Sequence, residues 1–189
     1  MQAEALDGGF ADAPIDAARA FRAAMNVMAR PGRIERLAGA LPPGPLSTAA
    51  GTLILTLCDP ETPVHLAGAH DTAALRDWIT FHTGAPLVGA QDAMFAVGAW
   101  EALQPLDSYR IGTSDYPDRA ATLIVELSEL MAQGARLTGP GIREDAHLSL
   151  PETAAFQRNA AQFPLGLDFF LTCGDHVAAL PRSTRVEDN

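Results

Sequence analysis

The chain contains no lysine. All thirteen of its Lys and Arg residues are arginine, against 23 acidic residues, so 189 residues carry a net charge of −10. Without a lysine amine no Schiff base can form on this chain, which excludes pyridoxal-phosphate catalysis and class I aldolase chemistry. Ordinary P-loop and protein-kinase chemistry lose their phosphate-binding lysine in the same way. Cysteine is nearly absent too. Cys58 and Cys173 lie far apart in apolar runs, which is no disulfide framework and reads as two buried reduced thiols. No stretch approaches the ~18–20 uninterrupted apolar residues of a membrane span. The N-terminus has no basic leader region, so a cytoplasmic protein is expected. The acidic balance argues against a nucleic-acid partner and against docking on an anionic membrane.

What is present is a core-forming composition: 48% of residues are hydrophobic and 19% charged. That excludes wholesale disorder, and the length fits a single domain over 1–189 with a loose N-terminal segment over 1–12. Asp12-Ala-Pro14 opens a helix, capped by Asp12 or Ala13, that stops at Pro31-Gly32. Ile15, Ala18, Phe21, Met25 and Met28 recur at spacings of three and four, which predicts that this face is buried. Arg33 to Leu37 reads as a short strand; Thr48 to Cys58, whose run Leu53–Leu57 would suit a buried strand or a buried helix, is favoured as a helix by Ser-Thr-Ala-Ala and ended by Asp59-Pro60. Thr62 to Ala67 is a strand, and Asp71 is expected to cap a helix that ends at Gly84. Strands are expected at Ala93–Gly98, at Ala121–Leu127 and at Ala135–Thr138, the second covered on both faces. Trp100–Leu106 reads as a helical turn. A helix over Glu152–Ala161 follows, then a closing hairpin around Gly174-Asp175. Helices alternating with short strands indicate an α/β fold with a mixed sheet.

No residue pattern declares a reaction. The five histidines show no zincin spacing, and Cys173-Gly-Asp-His176 lies on a hairpin turn without a second ligand pair, so no metal site is expected. His82 sits in the last turn of its helix, where an imidazole meets the helix dipole and the terminal carbonyls; a ligand role is the sharper alternative. Leu137-Thr-Gly-Pro-Gly-Ile142 follows a strand as phosphate loops do. Pro140 removes one N–H and no lysine follows, so a turn is the better reading. Five arginines, at 19, 22, 30, 33 and 36, crowd eighteen positions. They read either as a solvated face or as an anion or partner site, with Arg22 and Arg33 as its representatives. Asp168, at a strand start, is a turn acceptor or a ligand. Arg182, in Pro181-Arg-Ser-Thr184, joins it as a ligand or interface candidate. No catalytic residue, cofactor-binding residue or metal ligand is assigned.

Taken together, several motifs match one family in order over about residues 15–187. They are Phe21-Arg22 with Met25, Met28 and Pro31-Gly32; Asp59-Pro-Glu-Thr62-Pro63-Val64; and Phe81-His-Thr-Gly-Ala-Pro86-Leu-Val88. Tyr116-Pro-Asp-Arg-Ala-Ala-Thr122 and Leu137–Ile142 follow, then Phe163-Pro-Leu-Gly-Leu-Asp168-Phe-Phe-Leu-Thr-Cys-Gly174 and the run to Thr184. The chain resembles the PhnH family, the H subunits of the bacterial carbon–phosphorus lyase machinery for phosphonates.

The resemblance implies a reduced pyridoxal-phosphate-dependent transferase fold, a three-layer α/β arrangement that has lost the cofactor and its lysine; no cofactor is expected. It implies work in a core complex with G, I and J subunits. With G, I and L subunits it implies a transfer that joins a phosphonate to the ribose 5-triphosphate of ATP and releases adenine. It implies that the radical step belongs to the J subunit. The expected role is an accessory, non-catalytic subunit. The alternatives are a stand-alone phosphonate- or nucleotide-binding transferase and a homodimeric binding protein.

Overall fold

Asp12 starts the first helix as expected. Its carboxylate accepts from the Ile15 N–H at 3.4 Å while its own N–H donates to Asp16 at 3.0 Å, a reciprocal cap that satisfies two otherwise unpaired donors. The helix, α1, runs Ala13–Ala29. The structure is a computed structural model that describes residues 7–188. The expectation of a loose segment over 1–12 therefore lies partly outside the described residues. Within them, the Asp7 carbonyl accepts from the Trp78 indole at 3.0 Å and Phe10 packs on the core.

The elements after α1 are β1 (Glu35–Arg36), α2 (Thr48–Leu57), β2 (Val64–Leu66), α3 (Ala73–Thr83), β3 (Phe95–Ala99) and β4 (Thr122–Glu126). They continue with β5 (Ala135–Thr138), β6 (Ala146–Leu148), α4 (Ala154–Ala160), β7 (Asp168–Cys173), β8 (His176–Leu180) and β9 (Arg185–Glu187). Short 3-10 turns fill several connections, among them Gly68–His70, Trp100–Leu103 and Pro117–Arg119. Gly84 ends α3 at φ 69°, a conformation any Cβ would strain.

Six strands form one mixed sheet in the order β1-β8-β7-β4-β3-β2, in which β2, β3, β4 and β7 run parallel and the β7–β8 hairpin turns back. Side chains alternate across it. Ile124 and Phe170 face a core built with α1, α2 and α3, where Trp78, Leu53 and Leu75 are fully buried. Leu123, Val125, Phe169 and Leu171 face a second core. There Trp100 stacks on Phe156 with ring centroids 4.8 Å apart, and Phe156 meets Phe169 edge to face at 4.9 Å. α4 and a small antiparallel sheet, β6-β5-β9, cover that side. The chain thus does not close on the hairpin. β9 follows it and pairs with β5, and Arg136 on β5 bridges Glu187 at 2.7 Å and Asp145 at 3.1 Å.

Three further expectations are corrected. On α1 the buried stripe is Ala20, Ala24 and Val27, whereas Ile15 is exposed and Phe21 and Met25 are 51% and 52% exposed. Ala18 is exposed too, and Met28 is half-buried. α1 lies directly on α2 and β8, and small side chains let those backbones approach where Phe and Met would not fit. At α3 the cap is Thr72, whose hydroxyl accepts from the Leu75 N–H at 3.2 Å; Asp71 instead pairs with Arg76. Cys58 is buried, and burial beside Asp59 pushes its thiol up to about 12, whereas Cys173 is only half-buried.

Candidate functional site

Of the five residues singled out from sequence, the structure brings two together. Asp168 opens β7, and its position is set from behind. Asn159 on α4 is buried and uses its whole amide on Leu167: Nδ2 donates to the Leu167 carbonyl at 2.9 Å, and Oδ1 accepts the Leu167 N–H at 2.7 Å. Asp168 then meets Arg182. The backbone N–H of Arg182 donates to Oδ1 at 2.8 Å, Nε donates to the same oxygen at 3.2 Å, and Nη2 donates to Oδ2 at 2.6 Å. The remaining guanidinium nitrogen, Nη1, donates to the Pro117 carbonyl at 2.5 Å.

The two side chains are 13% and 23% exposed, so the pair is largely withdrawn from water. A bidentate fork with a third bond to a carbonyl uses most of what arginine can donate. Three sequence motifs converge at this one place: the turn at Pro117, the start of β7 and the segment after β8. Chemically the cluster is a clamp. It joins the amino ends of β4 and β7 to the chain's last segment, and every guanidinium nitrogen of Arg182 already donates within the protein. Beside it a cavity of about 420 Å³ is lined by Tyr109, Ile111, Arg158, Asn159 and Gln162, with burial raising the Tyr109 hydroxyl above its usual range.

The other three candidates stand apart. Arg22 projects from the exposed side of α1 between Phe21 and the following turn. Arg33 lies beyond the helix, which is capped at Arg30, and forms an ion pair with Glu35 at 2.7 Å. Pro31-Gly32, with Gly32 at φ 89°, breaks the stripe that would have aligned Arg33 with Arg19 and Arg22. Arg36 goes elsewhere again, to Asp175 at 2.6 Å, and its guanidinium holds the Asp175 carboxyl below its usual range. His82 packs between Trp78, which it meets at a tilt, and Phe81, which it meets edge-on, at centroid distances of 5.0 and 4.9 Å, with Nε2 3.3 Å from the Asp7 carbonyl. Together with Trp78 it fastens residue 7 onto α3.

One polar constellation escaped the sequence reading. At the carboxyl end of β4, Glu126 accepts from the Ser47 backbone N–H at 2.6 Å and from the Thr172 hydroxyl at 3.0 Å. It thereby ties the start of α2 to β4 and β7. His70 is 6% exposed, and neither ring nitrogen has a partner among the described residues. Burial lowers its pKa from 6.5, and the charge of Glu126 opposes that shift. Only tertiary structure unites residues 47, 70, 126 and 172, so no local pattern signals them. Among the described residues no group of three or more His, Cys, Asp or Glu is placed to hold a metal ion. No helix among them is long and apolar enough to cross a membrane.

The model of the family described as bacterial phosphonate metabolism protein (PhnH) matches residues 8–187. The chain is 41% identical over 198 residues to the alpha-D-ribose 1-methylphosphonate 5-triphosphate synthase subunit PhnH of Rhizobium meliloti (strain 1021), covering 98% of each protein. It is 29% identical to the candidate C-P lyase subunit protein HtxG of Stutzerimonas stutzeri, covering 94% of each.

Proposed function

Because the chain belongs to the family of bacterial phosphonate metabolism proteins (PhnH), we propose that it is a subunit of the assembly that makes alpha-D-ribose 1-methylphosphonate 5-triphosphate on the carbon–phosphorus lyase route of phosphonate catabolism. The observation that carries this reading is the similarity over 98% of both chains to a synthase subunit of that name. The partners it would meet are the G, I and J subunits, with L for the transfer step. Within that assembly the chain acts as an accessory subunit. The site geometry supports this role, since the best-built polar cluster, Asp168 with Arg182, spends its donors internally and offers no nucleophile next to a base. A protein without lysine also cannot anchor pyridoxal phosphate, in keeping with a reduced pyridoxal-phosphate-transferase fold whose cofactor has been lost.

Reconstitution tests the reading. ATP and methylphosphonate are mixed with the other subunits, with and without this chain, and adenine release is followed. Turnover only when the chain is present is the expected result. Full turnover without it, or turnover by the chain alone, overturns the accessory role. Assembly is expected to use the α1 face that carries Arg22, where an acidic partner surface would be steered and registered. The double reversal Arg22→Glu and Arg33→Glu should weaken pull-down of the other subunits, with the difference from wild type shrinking at higher salt.

A further inference from the structure

β2 is the outer strand of the large sheet, and the chain covers its free edge after α3. The Val64 N–H donates to the Pro86 carbonyl at 2.8 Å, and the Val88 N–H donates to the Val64 carbonyl at 3.0 Å. Val64 and Leu66 point into the core; His65 between them points the other way, half-buried. Its Nδ1 lies 3.0 Å from the Val88 carbonyl oxygen. A carbonyl only accepts, so Nδ1 carries the proton in the neutral ring and Nε2 is left as an acceptor.

His65 lines a cavity of about 320 Å³ together with Asp71 and Arg76, with Leu87 and Val88 as its apolar walls. Asp71 and Arg76 face each other as a fork: Nε donates to Oδ1, and Nη2 donates to Oδ2 at 2.8 Å. Those bonds, with the nearby His65, hold the Asp71 carboxyl below its usual range. Arg76 Nη1 has no hydrogen-bond partner among the described residues.

The polar inventory decides what fits. Asp71 keeps free lone pairs on both oxygens and His65 offers one on Nε2, while Arg76 keeps the N–H groups of Nη1 and one N–H of Nη2 free. The arginine charge is already offset by the carboxylate beside it. A phosphoryl or phosphonyl dianion brings only acceptors and would face Asp71 unpaired. A pair of neighbouring hydroxyls brings two O–H donors and two acceptors, with C–H surface to lie on the leucine and valine walls.

We propose that this pocket binds the vicinal diol of a ribosyl compound, with Asp71 and His65 Nε2 accepting from the hydroxyls and Arg76 Nη1 donating to one of them. The choice of ribose among diols rests on the reading of the chain as a subunit of a ribosyl-processing assembly; the diol chemistry itself does not.

Titration of the full-length chain tests this with three probes: adenosine, 2′,3′-dideoxyadenosine and methylphosphonate. The readouts are calorimetry and the His65 ring resonances. Adenosine should bind at least tenfold more tightly than the dideoxy compound and should shift the His65 signals, while methylphosphonate should leave them in place. Two variants report on location. Gly89 has an ordinary φ of −72°, and a Cβ there meets open space, so Gly89→Leu should fold normally and narrow the pocket. Asp71→Asn keeps the shape and removes the charge. Both should weaken adenosine at least tenfold with unchanged circular dichroism. Equal binding of the two nucleosides, no binding of adenosine at millimolar concentration, unchanged affinity in either folded variant, or a His65 response to methylphosphonate overturns the proposal. Adenine release that still requires the chain would then leave the subunit reading standing, so the two failures are distinguishable.

Discussion

Arg182 and Arg22 are the same residue type in sequence motifs of similar strength, and the fold treats them in opposite ways. Arg182 has Asp168 on one side of its guanidinium and the Pro117 carbonyl on the other, and it is almost out of water. Arg22 stands on the exposed side of α1 beside Phe21 and Met25. The first arginine is spent on holding the protein together; the second leaves its charge to whatever approaches. An arginine's role is decided by how many of its donors the fold has already used, a quantity that composition and spacing do not report.

The widest test of that contrast is to remove the clamp. Arg182→Ala leaves Asp168 partly buried without its partner. It should cost about 3 kcal/mol, at the lower end of the ~3–5 kcal/mol expected when a buried pair loses one member, because some exposure remains. Urea unfolding measures it, and a midpoint equal to wild type would make the clamp ornamental. Next comes the inner side of α1. Ala24 is buried where α1 meets its neighbours, so Ala24→Leu should cost about 1–3 kcal/mol through overpacking.

A third environment, between the spent and the free charge, is that of His70, buried with no hydrogen-bond partner among the described residues. Its folded-state value is depressed below 6.5 by burial, so the unfolded chain takes up a proton first as the pH falls. Stability from this group is complete above about pH 6.5 and declines below it, before the carboxylates titrate. Unfolding at about pH 7.5 and about pH 5.5 should show that loss in the wild type and a flatter response in His70→Gln. The smallest effects belong to the outer side of α1. Phe21→Ala and Arg22→Glu should each change stability by less than about 1 kcal/mol. A loss of several kcal/mol in the isolated chain would place that face inside a core and erase the contrast.

Much of the fold is legible in the sequence where one element follows one local rule. The buried run Leu123-Ile124-Val125, the stop at Gly84 and the hairpin at Gly174-Asp175 obey periodicity and turn chemistry, and the structure places them there. The orientation of α1 is not legible. Alanine counts weakly beside Phe and Met in any hydrophobic pattern, yet close helix packing selects alanine. The small sheet is hidden for another reason: β6 and β9 are three residues each, too short to show alternation above background. The site divides the same way. Asp168 and Arg182 stand out as motif residues, but their pairing across 14 positions is a tertiary fact. The union of residues 47, 70, 126 and 172 has no sequence signature at all.

The strand order of the large sheet has a consequence in time. On the ribosome β1 emerges first, and β2, β3 and β4 follow; the hairpin that must lie between β1 and β4 is made long afterwards. Arg36 waits 139 positions for Asp175. Until then β1 has no neighbour and one edge of β4 stays open. Contacts this distant along the chain are slow to form, and an open strand edge invites pairing with the wrong chain. The nascent protein is thus expected to need shielding until its last strands arrive, and a chain cut short before β7 would lack the middle of its sheet rather than a margin.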